Sequence, residues 1–566
     1  MRELVLGPMP FSASPDSHLP AGPWCFCGRE KAFPGWDDPA CGFALPPDPF
    51  ACAEEMHFYT RKANAEAIRL IPILAAAVNR LRGAEYPDIF WETALGPWLI
   101  LCVQMLAERQ KRMLDLLEIH GGRALRVSLL PRGCSFFFRT SLEFMTSGVL
   151  DPVFNHYILS RLVEAAAPRD WDLRFLPAAD LSPAGGGSGG LVQALAEVLR
   201  RAARQLPFPF QKGFSPIQCL CLSLAVLGNR SPEDRTLGLA AYASTPLEWI
   251  FPAEEFIAAC LPRALLELPL PALPSARGRL RGMTAAAGQD DGYRLAMAAW
   301  RAGGGRLFSV QHGANYGNLR SMGGSFFEYR QHAFITWGWR RHRDYPCNSL
   351  PLPHPLPARL SGRHRERRPE LILVGTEMSL LLYRLKSRPQ AGKLPGYRRD
   401  KIRFFRALPE HLLAASLYRP YAASSNPAAL EDGPHILRAI PGLALCSGDL
   451  TRKMLNCRLL VLDHYGTTLH LALAADVPTI CFWDREQWGM EEATEQALDV
   501  LAGAGILLPG PEEAAAAAAA AWPDAAVWWK SPTVQEARRY WLERYALPAD
   551  RGLSLRRLWS AALRSV

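Results

Sequence analysis

Phe308-Ser-Val-Gln-His-Gly-Ala-Asn-Tyr-Gly317 opens as a short apolar strand and closes as a polar turn bounded by glycines. A second apolar run, Ala333–Thr336, ends in the same manner at Trp337-Gly-Trp339. In open α/β sheets, ligands bind just past the carboxyl ends of the strands. Gln311, His312 and Gly313 therefore stand where chemistry is expected. His312 can give or take a proton near neutral pH, and Gly313 and Gly317 let backbone approach a ligand closely. A tight turn whose histidine merely caps a carbonyl would look the same locally, so the surrounding chain has to decide.

Around this stretch the texture is α/β. Leu280–Ala285 reads as a strand, Asp291–Arg301 as a helix, Gly303–Gly305 as its terminator and Arg306–Val310 as the next strand. The segment from Tyr345 to Arg368 carries Pro351, Pro353, Pro355 and Pro357 and then an arginine-rich run. Its prolines favour an extended connection. Beyond it a second alternating region begins at Leu371-Ile-Leu-Val-Gly375. Further strands are expected at Ala415–Tyr418, Ala444–Cys446, Leu459–Leu462, Thr479–Phe482 and Gly505–Leu508, with helices between most of them. Crossovers of this kind build a parallel sheet covered on both faces.

The second region has its own candidate site. Leu459-Leu-Val-Leu-Asp-His-Tyr-Gly-Thr-Thr468 is a buried strand, a polar loop and a helix start. Free N–H groups at a helix start, with the hydroxyls of Thr467 and Thr468 beside them, suit phosphate. The plainer alternative is that one of these threonines is an N-cap. The next strand ends in Phe482-Trp483-Asp484, followed by Glu486 and Trp488, which could meet a base or sugar ring or simply belong to the core. Arg419, at the end of another strand, offers a bidentate cation for phosphate or a surface ion pair.

At 566 residues, with 49% apolar and 21% charged composition, the chain exceeds one core and is not disordered. No uninterrupted apolar run reaches the length of a spanning helix. Met1-Arg-Glu-Leu-Val-Leu-Gly-Pro reads as a first strand rather than a signal peptide, so a cytoplasmic protein is expected. Toward Ser182 the chain is strongly helical, with patterns at Ala65–Arg82, where Pro72 predicts a kink or break, and at Trp91–Leu117. Pro183–Gly190 reads as a flexible linker into an amphipathic helix, Leu191–Leu206; Ala253–Glu267 and Thr533–Arg564 also read as helical.

Thirteen cysteines in apolar contexts argue for buried thiols. The spacing of Cys25, Cys27, Cys41 and Cys52 fits no common zinc pattern, and no metal site is expected. The net charge of +10 suits an anionic ligand or surface. No zinc-finger or aromatic RNA-binding signature accompanies the arginine groups, so nucleic acid is not the expected partner.

Two α/β regions facing each other across a cleft describe the GT-B glycosyltransferase architecture. The chain resembles a family of transferases found in gene clusters for lipopolysaccharide O-antigen and other surface polysaccharides. The resemblance rests on Gly22-Pro-Trp-Cys25, Phe90-Trp-Glu-Thr-Ala-Leu-Gly-Pro-Trp98, Asp151-Pro-Val-Phe-Asn155, Gln311–Gly317, Thr336-Trp-Gly-Trp339, Asp463–Thr468 and Phe482-Trp-Asp484. It departs from that family at Ala314 and Asn315, where Gly and His are usual.

The resemblance implies an α/β, GT-B-like fold of two Rossmann-type parallel-sheet domains facing a cleft, with a helical N-terminal elaboration. The expected division is an acceptor-side domain over residues 1–345 and a linker over 346–370. A nucleotide-sugar-binding domain over 371–532 and helices packing back over 533–566 complete it. The implied activity is metal-independent transfer of a sugar from a nucleotide-sugar donor to a glycan or lipid-linked acceptor. No cofactor is implied beyond that co-substrate, and there is room for peripheral contact with the inner membrane face. His312 is the candidate base and Glu328 its partner or substitute. Gln311, Gly313, Arg419, Asp463, His464, Gly466, Thr467, Thr468, Trp483 and Glu486 are the candidate donor-binding residues. The alternatives are a phosphotransferase using a CDP-polyol and a non-catalytic scaffold of polysaccharide assembly.

Overall fold

The structure, a computed structural model, describes every residue except 39–41, 184–206, 209–212, 227–243, 284–289, 346, 377–378, 422–425, 427, 431 and 549–552. The linker and helix expected over 184–206 lie outside the described residues, as does Cys41.

Three sheets, every strand pair in them parallel, organise the chain. The first has β1 (Arg2–Val5), β2 (His18–Pro20), β3 (Leu125–Leu129) and β4 (Asp172–Phe175) in the order β2-β1-β3-β4. Only β1 was expected; the region reads as helical because its strands are short and interrupted by long helices. In β3 the buried Leu125, Val127 and Leu129 alternate with half-buried Arg126 and Ser128, five residues against helices six times as long.

The second sheet runs β5 (Leu280–Met283), β6 (Arg306–Val310), β7 (Ala333–Thr336) and β8 (Ser349–Pro351) in chain order. β8 corrects the expected linker over 346–370, because it pairs Phe334 with Ser349 and Thr336 with Pro351. Proline is tolerated there because β8 is an edge strand. Pro355 then starts a short helix, Pro355–Leu360, whose first turn the His354 side chain caps at the Leu356 amide. The prolines here mark an edge and a helix start rather than an extended path.

The third sheet contains β9 (Leu371–Val374), β10 (Ser416–Arg419), β11 (Ala444–Leu445), β12 (Leu459–Leu462), β13 (Thr479–Phe482) and β14 (Leu507–Leu508). Its order is β11-β10-β9-β12-β13-β14, which numbered along the chain is 3-2-1-4-5-6, the Rossmann order.

Two long helices tie these layers together. α1 (Ala53–Arg82) stays helical through Pro72, with its apolar side laid along α2 (Asp88–His120). α2 is buried on nearly every face. It is long and apolar enough to cross a membrane, yet 94% of its most apolar window is buried inside the protein. Arg109, fully buried at its centre, donates to Glu108, to Asn155 of α3 (Pro152–Ala166), and to the Leu382 carbonyl of the third-sheet region. Gln104 accepts from the Leu385 amide at 2.9 Å. One helix thus braces all three sheets.

The second sheet is a sandwich. Phe308, Val310, Ala333 and Ile335 meet α4 (Pro216–Val226) and the C-terminal helix on one face. On the other, Leu307 and Met283 meet α5 (Asp291–Ala302). Trp559 of the C-terminal helix donates to the Pro353 carbonyl at 2.7 Å.

His470 lies in the core between the second and third sheets, its ring centroid 5.4 Å from that of Trp541. Burial pushes its pKa down from 6.5 to about 3, so it folds neutral. The unfolded chain takes up a proton below the ordinary value of 6.5. This group's contribution is therefore complete above that pH and lost as pH falls toward 3. Each pH unit in that window is worth up to about 1.4 kcal/mol. In His470→Leu, urea midpoints between pH 6 and 4 should fall less steeply than in the wild type.

Candidate active site at the seam between two sheets

In the third sheet the chain leaves β9 and β12 in opposite directions, opening the crevice where Rossmann folds bind ligands. Gly375-Thr376 lines one side and Asp463–Thr468 the other. Beneath them lies a buried charged cluster. Lys401, on α7 (Leu394–Ala407, after the shorter α6, Pro355–Leu360), is fully buried. It bridges Asp432 at 2.9 Å and Asp463 at 3.1 Å. Tyr418 at the end of β10 donates to Asp432 at 2.6 Å. Burial alone would raise the Asp463 pKa and lower that of Lys401. The opposite charges outweigh it, holding Asp463 below and Lys401 above its ordinary value. Gly375 packs against this cluster: a Cβ there would lie 2.5 Å from the Tyr418 hydroxyl.

Asp463 also holds the Nδ1 of His464 at 2.8 Å through its other oxygen, fixing a half-buried imidazole at the mouth of the crevice. Beyond α8 (Gly433–Ala439) the chain reaches α9 (Thr467–Ala475), whose N-cap is Gly466, with no side chain capping the helix start. Neither Thr467 nor Thr468 is the cap. Instead the Thr467 hydroxyl accepts from the Ala314 amide at 3.2 Å, and a Cβ on Gly313 would lie 3.3 Å from it. Tyr465 donates to the Ala314 carbonyl at 3.2 Å. The loop after β6 and the loop after β12 are thus in direct contact. Isolated bridges pairing Leu319 with Met490 and Met322 with Lys386 continue the seam.

His312 lies half-buried on this loop, its Nδ1 2.9 Å from the Tyr316 hydroxyl. Burial and the nearby Glu328 carboxylate push the Tyr316 pKa up, so the phenol stays protonated. The same hydroxyl is hydrogen-bonded to Glu328. Glu328 is only 2% exposed and reaches His312 through Tyr316.

The other expected site residues are placed differently. Gln311 is fully buried and committed to the turn: its Oε1 accepts from the Trp337 amide and from Trp339 Nε1, both at 2.8 Å, and its Nε2 donates to the Gly313 carbonyl. It shapes the loop that carries His312. Trp483 is buried in the core against Tyr465, while Glu486 is exposed on the following short turn. Arg419 turns away from the crevice, its Nη1 donating to the Cys446 and Gly448 carbonyls at 2.9 Å each. Because β10 lies beyond β9 from β12, its side chain satisfies the loop after β11 rather than the α9 start. Arg419→Ala should accordingly lower stability by about 1.5–2 kcal/mol, the lower part of the range for charged hydrogen bonds, at a half-buried site. Nucleotide affinity by calorimetry should stay unchanged.

Lys401, Tyr418, Asp432 and Tyr316 escaped the sequence reading. A lysine in the polar-looking helix Leu394–Ala407 reads as surface, and only the fold sets it beneath Asp463. Tyr316, four residues from His312, carried a local signal in its spacing alone.

Two further features stand out. A cavity of about 780 Å³ lies between the N-terminal segment and the third sheet. It is lined by Trp36, Asp37, Arg398, Asn426, His435 and Arg438 among others. Arg398 stands one turn before Lys401 on α7 and bonds Asp37 at 3.1 Å. The second feature joins His342, Asp344 and Glu491. The Nδ1 of His342 accepts from the Asp344 and Tyr345 amides, and Arg320 pairs with Asp344. The same His342 Nδ1 lies 3.1 Å from Glu491 Oε1.

A six-stranded parallel sheet in Rossmann order, with histidine-bearing loops meeting near its switch point, defines an α/β protein of Rossmann-like class. The model of the LIC12162 family transferases matches residues 2–563, so the chain belongs to that family and is a transferase. No curated protein matches it.

Proposed function

We propose that the protein is a glycosyltransferase of surface-polysaccharide synthesis, moving a sugar from a nucleotide-sugar donor to a glycan or lipid-linked acceptor. The observation that carries this reading is the hydrogen bond from the Ala314 amide to Thr467. It sets His312 beside the uncapped start of α9 at a Rossmann switch point.

In this reading the third sheet holds the donor. The nucleoside end occupies the 780 Å³ cavity, within the usual range for small-molecule sites. The diphosphate crosses the switch point to the α9 start. As the glycosidic C–O bond breaks, negative charge grows on the departing phosphate. The first-turn amides of α9 and the Thr467 and Thr468 hydroxyls stabilise it. His464, oriented by Asp463, supplies a proton or a positive charge at the same place, the part once expected of Arg419.

His312 takes the proton of the attacking acceptor hydroxyl. For Nε2 to accept, Nδ1 must carry the hydrogen and donate it to the Tyr316 oxygen. The Tyr316 proton then faces Glu328. The His312–Tyr316–Glu328 chain selects that tautomer and stabilises the imidazolium as it forms. Inversion follows if the acceptor attacks opposite the departing phosphate.

The alternative of polyol-phosphate transfer uses the same scaffold and differs in which bond breaks. The mass of the product made from an acceptor and a panel of donors tests the reading. A gain of one sugar residue supports it, and a gain that includes a phosphate assigns the protein to the phosphotransferase class.

A further inference from the structure

α4 (Pro216–Val226) carries an unusual outer face. Ile217, Leu220 and Leu224 follow one another at helical spacing and are 72%, 50% and 63% exposed. Its opposite face, with Cys219, Leu222 and Val226, is buried on the second sheet. Beside it lies the C-terminal helix, Leu553–Ser565, α12 if the helices Pro511–Ala521 and Pro532–Tyr545 are counted as α10 and α11. α12 buries Leu555, Trp559 and Leu563 in the same core and turns Arg557, Leu558 and Arg564 outward.

Because both helices lie on one face of one sheet and pack on each other, their outer sides form one surface. Neither helix contains an acidic residue, whereas α12 has three arginines. Four exposed leucine and isoleucine side chains, with Arg557 and Arg564 exposed beside them and no acidic residue on either helix, fit a shallow interfacial seat on anionic lipid. A protein partner matched to this surface would need an acidic rim around an apolar centre, which an anionic bilayer supplies by itself.

The surface also borders the site. Phe214, just before α4, packs on His354 with ring centroids 5.3 Å apart, and His354 stacks on Trp337 at 4.8 Å. Trp337 in turn is bonded to Gln311 of the His312 loop. The start of α4 therefore stands at the carboxyl end of the second sheet, the end at which His312 lies.

We propose that the α4–α12 face docks on an anionic membrane and presents a lipid-linked acceptor to the His312 side of the seam. This rests on the lipid-linked half of the functional reading above. Docking itself does not depend on which group is transferred.

Sedimentation of the full chain with vesicles of phosphatidylcholine containing phosphatidylglycerol, against pure phosphatidylcholine vesicles, tests it. The wild type should partition onto the anionic vesicles, weakening as salt rises. Ile217→Asp/Leu224→Asp should lower that partition roughly 10–100-fold, and Arg557→Glu/Arg564→Glu should weaken it at low salt. Leu558→Asp, on the other helix, serves as an independent variant should the first pair fail to fold.

Each folded variant should keep the wild-type melting temperature and the same thermal shift with nucleotide. That readout separates a failed docking surface from a failed donor site. No affinity for anionic vesicles, or equal binding by wild type and folded variants, overturns the proposal. Self-association of the wild type that the same variants abolish, without vesicle binding, assigns the face to a second copy and overturns it as well.

Discussion

His312→Ala should retain the affinity for nucleotide and lose turnover by roughly 10²–10⁴-fold, the usual contribution of a general base. The motive is geometric. His312 sits half-buried where the loop after β6 meets the start of α9, with Tyr316 holding Nδ1 at 2.9 Å. The loop that carries it is held by Gln311 and by the Ala314–Thr467 bond. Tyr316→Phe should give a smaller loss of turnover, with the rate's dependence on pH displaced, since the tautomer is then no longer selected. If His312 instead contacts the donor, affinity falls together with rate. If it only caps the turn, melting temperature drops while turnover per folded molecule survives. Unchanged turnover in folded His312→Ala protein removes the general-base assignment.

Lys401→Met should be the most destabilising of the substitutions considered. It leaves Asp432 and Asp463 buried, close together and without their counter-ion. Breaking a buried ion pair from one side costs about 3–5 kcal/mol. Part of that loss should return in Lys401→Met/Asp463→Asn, or on acidification, because either removes a negative charge. Urea unfolding of the three proteins at pH 7 and pH 5 checks both expectations. A loss below about 1 kcal/mol would mean that water reaches the cluster and screens it. The same substitution should loosen His464, whose position depends on Asp463.

Legibility followed burial. Arg306–Val310, Ala333–Thr336, Leu459–Leu462 and Thr479–Phe482 are strands over the residues expected, because each is a mostly apolar run in a central position, buried but for Arg306. β8 was hidden under prolines, which an edge strand tolerates and a sequence pattern cannot distinguish from a linker. β3 and β4 were hidden by their length and by the charges of an exposed edge. α2 reads as an amphipathic stripe, yet it is covered all round, because the three layers that enclose it come from distant parts of the chain.

At the site, the loops legible in the sequence were those that follow buried strands, namely Gln311–Gly313 and Asp463–Thr468. Their meeting was an inference from fold class, and the Ala314–Thr467 bond gives it a contact. Side-chain direction was not legible. Arg419 stands at the expected strand end and spends its guanidinium on two carbonyls of the neighbouring loop. Lys401 carries no local mark of function and becomes the buried counter-ion only once α7 packs beneath the switch point. The sequence period says which face of an element is covered. It does not say which polar group on that face will find a charge.

The crevice over β9 and β12 is proposed to hold the nucleotide diphosphate of the donor. The most direct measurement is a thermal-shift panel on the wild type with UDP, GDP, CDP, CMP and dTDP. Binding to the folded state alone stabilises it by RT ln(1 + [L]/Kd), about 2.7 kcal/mol at a hundred times Kd. One diphosphate should raise the melting temperature well above the others, and that shift should shrink in His464→Ala. Absence of a shift with every nucleotide at millimolar concentration, or a shift that His464→Ala leaves intact, would contradict the account.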